Sequence, residues 1–353
     1  MIRDLRILSQ NLAAGLGINY NFAEVLRMAN LRDVTVLVTG SAGFIGFHVS
    51  RNLLGQGAKV IGLDNFNDYY SPALKRDRDR ELRQHPNFLS VEADLADFSR
   101  LAALFEDHRP PKICHLAAQA GVRYSLINPF AYQKANLEGF LNLLELAKRY
   151  DAERFVYASS SSVYGGLTEL PFAEEQRVDT PISLYAATKR AGELMAHTYT
   201  HLFGLATVGL RLFTVYGPWG RPDMAMWLFT EAMLAGQPIK VFNFGKMERD
   251  FTYIDDVVKG IIATLVVSGL DRYEIFNIGN HRPEQLLKVI ALLEQELGVQ
   301  AQQELLPIQP GDVPATFADI RRARAKLGFE PTTPVDQGIV YFVRWYKDYH
   351  RLA

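Results

Sequence analysis

The sequence predicts an α/β protein, a doubly wound parallel sheet followed by a smaller mixed α/β domain. Three observations carry that reading. Short β-branched and apolar runs recur from Thr35 onward, longer helical stretches separate them, and a glycine-rich turn joins the first run to the first helix. The candidate strands are residues 35–38, 60–63, 88–91, 113–116, 155–158 and 207–212. The candidate helices are residues 44–56, 74–84, 99–107, 132–150 and 184–203. Strands that are apolar throughout are buried on both faces, so the helices between them cover a parallel sheet from both sides. After about residue 214 the pattern breaks into shorter elements mixed with glycine, proline and aromatic residues. Residues 33–214 are therefore assigned to the sheet domain and 215–350 to the smaller one, with interleaving of the two left open. Residues 1–32 carry loosely helical apolar spacing (Leu5, Leu8, Leu12, Leu16, Phe22, Leu26) and read as an N-terminal extension, with Met28 as an alternative start.

Composition narrows the function classes. The 353 residues, 48% of them hydrophobic, suffice for one large core or two moderate ones. With 38 basic against 39 acidic residues, nothing points to a nucleic-acid binder or a polybasic membrane surface, and an anionic ligand needs a local site. The single cysteine, Cys114, excludes an internal disulfide framework and fits the cytoplasm. No apolar run is long enough for a membrane span, and charges at Arg3, Asp4, Arg6, Glu24 and Arg27 interrupt any signal-peptide pattern. No cluster suggests a metal site.

The glycine turn is the first chemical motif. Val36-Leu-Val-Thr-Gly40-Ser-Ala-Gly43-Phe44-Ile45-Gly46 runs from a strand through a tight turn into a helix. Glycine lets a pyrophosphate approach the helix N-terminus, where unpaired N–H groups and the helix dipole favour anions. Asp64, 18 residues beyond Gly46 at the end of the second strand and followed by Asn65, can accept hydrogen bonds from both adenosine ribose hydroxyls. Its charge repels a 2′-phosphate, so NAD is expected rather than NADP.

The second motif is Tyr185-Ala-Ala-Thr-Lys189, a phenol and an ammonium one helical turn apart. An adjacent ammonium and a positive nicotinamide ring would each stabilise the phenolate, lowering a pKa that otherwise lies near 10 and suiting the tyrosine to acid/base work. Between the two motifs, a strand ends in four consecutive serines, Ser159 to Ser162.

These glycines, spaced Gly-X-X-Gly-X-X-Gly, together with the Tyr–Lys pair and the serine-rich strand end, resemble the extended short-chain dehydrogenase/reductase family over residues 34–350. The resemblance implies a Rossmann domain and a substrate-binding domain. It makes Ser160 or Ser162 the third catalytic hydroxyl and lets Lys189 hold the nicotinamide ribose. It also places Leu116, Ala117 and Ala118 against the cofactor, Asp94 and Leu95 at the adenine, and Lys75 and Asn136 among the cofactor contacts. Family members are homodimers, which would pair helices 132–150 and 184–203.

Three further stretches sharpen the likeness towards UDP-glucuronate 4-epimerases: Gln119 to Ser125 with Arg123, Ser183 to Lys189, and Leu210 to Ala225 with Thr214 and Arg221. They imply conversion of UDP-glucuronate to UDP-galacturonate. Tyr185 takes the proton of the 4-hydroxyl while carbon 4 is oxidised, the 4-keto sugar turns over, and reduction from its other face inverts the centre. Arg221 could fork onto a phosphate or a sugar carboxylate. Thr214, Ser161 and Ser162 would hold the carboxylate, and Arg249 the diphosphate, unless it pairs with Asp250. Val241 and Phe242 would flank uracil. Gln309 stands where neutral-sugar epimerases carry a second phosphate-binding arginine, so Gln309 or Arg221 takes that role. A UDP-glucuronate decarboxylase and a neutral UDP-hexose 4-epimerase are the near rivals, and a silent NAD-binding regulator the remote one. A dehydratase is disfavoured, because Ser161 and Ser162 occupy its Asp-Glu positions.

Overall fold

The computed structural model describes residues 31–309 and 311–352. Of the expected N-terminal extension, only Leu31 and Arg32 fall within these, and Leu31 is packed into the core. Seven strands, β1 (Thr35–Thr39), β2 (Lys59–Asp64), β3 (Phe88–Glu92), β4 (Lys112–His115), β5 (Arg154–Ser160), β6 (Thr207–Leu212) and β10 (Tyr273–Ile278), form one wholly parallel sheet. Their order is β10-β6-β5-β4-β1-β2-β3. Alternation along each strand feeds two cores: Val36 and Val38 of β1 pack on one side of the sheet and Leu37 on the other.

Helices α1 (Phe44–Gly55), α2 (Pro72–Leu82) and α3 (Phe98–His108) follow the first three strands. Next, α4 (Pro129–Tyr132) and α5 (Gly139–Arg149) are joined by a π-helical segment over Gln133–Glu138, so the helix expected over 132–150 starts three residues earlier and is not α-helical throughout. Helix α6 (Leu184–Phe203) has the expected bounds. Its Ser183 hydroxyl accepts from the Ala186 N–H at 3.1 Å, fixing the first turn, in which Tyr185 sits.

The strand order reverses between β1 and β4, and the crevice above their C-terminal ends is where such sheets bind ligands. Thr39 Oγ1 pairs with His115 Nδ1 at 2.7 Å and accepts from the Ala117 N–H at 3.2 Å, locking the two strand ends together beneath that crevice.

The remaining elements are β7 (Thr214–Tyr216), α7 (Ala225–Leu234), β8 (Ile239–Phe242), β9 (Glu248–Tyr253), α8 (Ile254–Val266), β11 (Pro283–Gln285), α9 (Leu286–Leu297), β12 (Gln303–Leu306), β13 (Ala315–Thr316), α10 (Arg321–Leu327) and α11 (Val335–His350). Strands β7, β11 and β13 pair with β9, and β12 pairs with β8. The boundary expected at residue 214 does not divide the chain cleanly. Helix α8 packs on α1, and β10 pairs in parallel with β6, because the apolar edge of β6 would otherwise lie uncovered.

Candidate active site

A cavity of about 550 Å³ opens over the C-terminal ends of β1, β2, β4 and β5. Gly40, Gly43, Phe44, Ile45 and Gly46 form one wall. A Cβ on Gly46 would lie 2.0 Å from the Gly40 carbonyl oxygen, and one on Gly40, whose φ is 71°, 2.8 Å from the Ala117 nitrogen. The turn therefore closes this tightly only with glycine, and it leaves the start of α1 open to a phosphate. Asp64 accepts from the Ala42 N–H at 3.1 Å and the Phe66 N–H at 2.9 Å, one on each carboxylate oxygen, leaving lone pairs for a diol. Asn65, Asp94, Leu95, Leu116, Ala117 and Ala118 line the same cavity. These features fit a dinucleotide such as NAD.

Lys75 also reaches the cavity wall, but its ammonium is committed to the Asn67 carbonyl at 2.6 Å and the Asn67 Oδ1 at 2.7 Å, as a buried cation requires. Asn136 is placed differently. It lies behind the wall rather than on it: its Oδ1 accepts from the Gln119 N–H at 2.8 Å, and its Nδ2 donates to the Gln119 carbonyl and to Thr188 Oγ1, each at 3.0 Å. Both amide donors and one Oδ1 lone pair are thus used to tie the turn after β4 to the residue before Lys189.

Tyr185, Lys189, Ser160, Ser161 and Ser162 all line this cavity. Burial raises the Tyr185 phenol above its usual pKa. The Ser160 hydroxyl and the Arg221 guanidinium favour the phenolate, while Asp223 opposes it. Of the two serine candidates, Ser160 is the one whose hydroxyl favours the phenolate. Its Oγ also faces Ser162 Oγ at 3.2 Å and accepts from the Ser162 N–H. The neighbouring ammonium was expected to lower the phenol's pKa. Instead Lys189 Nζ turns to the Ala158 carbonyl at 2.7 Å, and burial takes its own pKa down to about 8, against the pull of Glu193. Glu193 is itself fixed beneath the site by Ser159 Oγ at 2.6 Å and a two-bond pairing with Arg211.

Thr214 and Arg221 complete this cavity. Arg221 is not a free fork, because Asp223 takes its Nε at 2.9 Å and also its Nη2, and the Tyr69 hydroxyl donates to Asp223 at 2.9 Å. Sequence reasoning passed over Asp223 and Tyr69. An aspartate two residues from an arginine inside a Gly/Pro-rich loop was the available signal, since a turn, unlike a helix, lets the two fold together.

A second cluster lies outside this cavity. Arg123 stands 4.6 Å over the Phe242 ring and 3.1 Å from an Asp312 oxygen. Arg249, its pKa lowered by burial, donates to the Glu248 and Pro314 carbonyls and feels both Asp312 and Arg123. The Arg249–Asp250 pair does not form: the Asp250 carboxylate turns inward to Thr252 Oγ1 and to the N–H groups of Asn280, His281 and Ala318. Val241 faces inward. Its side chain is wholly buried in the core because alternation along β8 turns Phe242, not Val241, outward, so only its main chain could meet a base.

Residues 36–279 match the NAD dependent epimerase/dehydratase family. The chain belongs to this family. Among its members, UDP-glucuronate 4-epimerase 4 of Arabidopsis thaliana is 48% identical over 341 residues, spanning 92% of this chain and 78% of the relative. Among solved structures, the UDP-glucuronic acid 4-epimerase of Bacillus cereus, in complex with UDP-glucuronic acid and NAD, superposes with a TM-score of 0.83. It is 34% identical and the match covers 90% of this chain and all of that one. The UDP-glucose 4-epimerase of Thermotoga maritima, with UDP-glucose, gives 0.81 at 31% identity, covering 90% and 100%.

Proposed function

We propose that this protein is an NAD-dependent 4-epimerase that interconverts UDP-glucuronate and UDP-galacturonate. The observation that carries the reading is Arg221: a guanidinium on the wall of the catalytic cavity, close enough for its charge to act on the Tyr185 phenol. A uronate has its carboxylate one carbon beyond the ring, where that cation can meet it. The identities of the Arabidopsis and Bacillus relatives support the same substrate.

NAD, when bound, takes hydride from carbon 4 and returns it. The chain supplies the rest. Tyr185, assisted by Ser160, takes the 4-hydroxyl proton and later gives it back, and Lys189 holds the nicotinamide ribose. The oxidised sugar is a β-keto acid, which loses carbon dioxide when the carbon–carboxylate bond stands perpendicular to the carbonyl plane. Thr214, Arg221, Ser161 and Ser162 hold the carboxylate away from that alignment. Arg123 and Arg249, two cations that sense each other, take the diphosphate, with Phe242 at the uracil edge.

The protein acts as a homodimer in the cytoplasm, making galacturonate donors for surface polysaccharide. Exposed Leu141 on α5 and Leu194, Leu202 and Phe203 on α6 support the dimer, which light scattering tests. The catalytic reading is tested by incubating the protein with UDP-glucuronate without added cofactor and resolving the products by proton NMR. A mixture of the two uronates is expected. UDP-pentose alone would mean a decarboxylase, and no conversion even with NAD would sink the uronate assignment. Thr214→Val should raise the pentose fraction, and an unchanged ratio at reduced rate would refute the role given to Thr214.

A further inference from the structure

Arg221 gives two of its nitrogens, Nε and Nη2, to one carboxylate. Asp223 accepts from Nε and Nη2, the pair of donors that a carboxylate grips best. The Tyr69 hydroxyl, reaching across from the loop that follows Asp64, completes the second Asp223 oxygen. Burial alone would raise the Asp223 carboxyl, but Arg221 outweighs it and holds the pKa below the usual value, so the pair is ionised at neutral pH. A substrate carboxylate entering this cavity therefore finds the best edge of the guanidinium already occupied.

Epimerisation makes a demand that simple binding does not. Between oxidation and reduction the 4-keto sugar must turn, and its carboxylate, fixed to the ring, must leave Arg221. A free guanidinium would grip that carboxylate with two charge-assisted bonds and, once released, would be left as a buried unpaired charge. Asp223 removes both obstacles, competing while the carboxylate is bound and covering the cation while it is away. We propose that Asp223, steadied by Tyr69, is a positioning residue that competes with the substrate carboxylate for Arg221 and thereby lets the uronate turn. This rests on the epimerase reading above.

The test separates binding from turnover. Calorimetry in a Tyr185→Phe background, where no chemistry proceeds, compares Tyr185→Phe with Tyr185→Phe/Asp223→Asn for UDP-glucuronate and UDP-glucose. Asp223→Asn should tighten UDP-glucuronate by about tenfold, the worth of one charge-assisted hydrogen bond, and leave UDP-glucose unchanged. In the active protein the same change should lower KM and kcat together. Tyr69→Phe strips a donor from Asp223, leaves its charge wholly to Arg221, and should weaken UDP-glucuronate binding. This second variant carries the test if Asp223→Asn does not fold. Weaker or unchanged uronate binding in Asp223→Asn, equal shifts for both ligands, or no weakening in Tyr69→Phe would overturn the proposal. Wild-type protein that leaves UDP-glucuronate unconverted would instead sink the epimerase reading itself.

Discussion

Replacing Lys189 with methionine should make the protein more stable at neutral pH while abolishing its chemistry. Lys189 is only 9% exposed, and its Nζ has one protein acceptor, the Ala158 carbonyl. Burial takes its pKa from 10.5 to about 8, with Glu193 offsetting part of the fall. At about 1.4 kcal/mol per tenfold in proton affinity, the folded state carries a penalty of about 3 kcal/mol. Below pH 8 both folded and unfolded chains hold the proton, so the whole penalty is present. Between pH 8 and 10.5 the folded lysine is neutral while the unfolded one is still charged. The unfolded chain then binds more protons, wild-type stability rises with pH, and the penalty is gone by about 10.5. Methionine fills similar volume without the charge but leaves the Ala158 carbonyl one bond short, a loss of about 1 kcal/mol. Lys189→Met should therefore be more stable by about 2 kcal/mol at pH 7, and the order should reverse near pH 10. Urea unfolding of nucleotide-free protein at the two pH values measures this without a contribution from bound ligand. A variant less stable than wild type at pH 7, or a gap that does not change with pH, would refute the argument.

Two further outcomes follow from buried polar groups. Asn136→Ala leaves the Gln119 N–H and carbonyl without partners and should cost about 3 kcal/mol in urea unfolding, with or without NAD. A loss seen only with NAD bound would restore Asn136 as a cofactor ligand. Asp250→Asn turns an amide towards a shell of four donors that now converge on two acceptor oxygens, and should also destabilise by about 3 kcal/mol, read as a lower melting temperature. Because Asp250 seats the strand that presents Arg249, the surviving folded protein should show a raised KM for UDP-glucuronate, and an unchanged KM would separate the two residues.

Much of the fold was legible because its signals are local. Apolar strands, the helices between them and the glycine turn follow from nearest-neighbour chemistry, and six strands of the sheet lie close to where the runs place them. The seventh was not legible. Residues 273–278 look no different from other short runs in the second half, and only the open edge of β6 makes them a sheet strand. The catalytic cavity divides the same way. Tyr185 and Lys189 share a helix turn, and Gly40 to Gly46 a single loop, so spacing alone brings them together. The partner of Arg221 was hidden for the opposite reason: Asp223 lies beside it in the chain, but whether it folds back or faces solvent depends on Tyr69, more than 150 residues away.

By itself, then, the sequence determined the parallel sheet, the cofactor turn and the catalytic pair, since each is encoded by residues within about one turn or one strand of each other. The tertiary structure decided which polar groups were already spent. It committed Asn136 to Gln119, Asp250 to three distant N–H groups and Lys189 to Ala158, because a buried donor, acceptor or charge takes whatever partner the folded chain brings nearest.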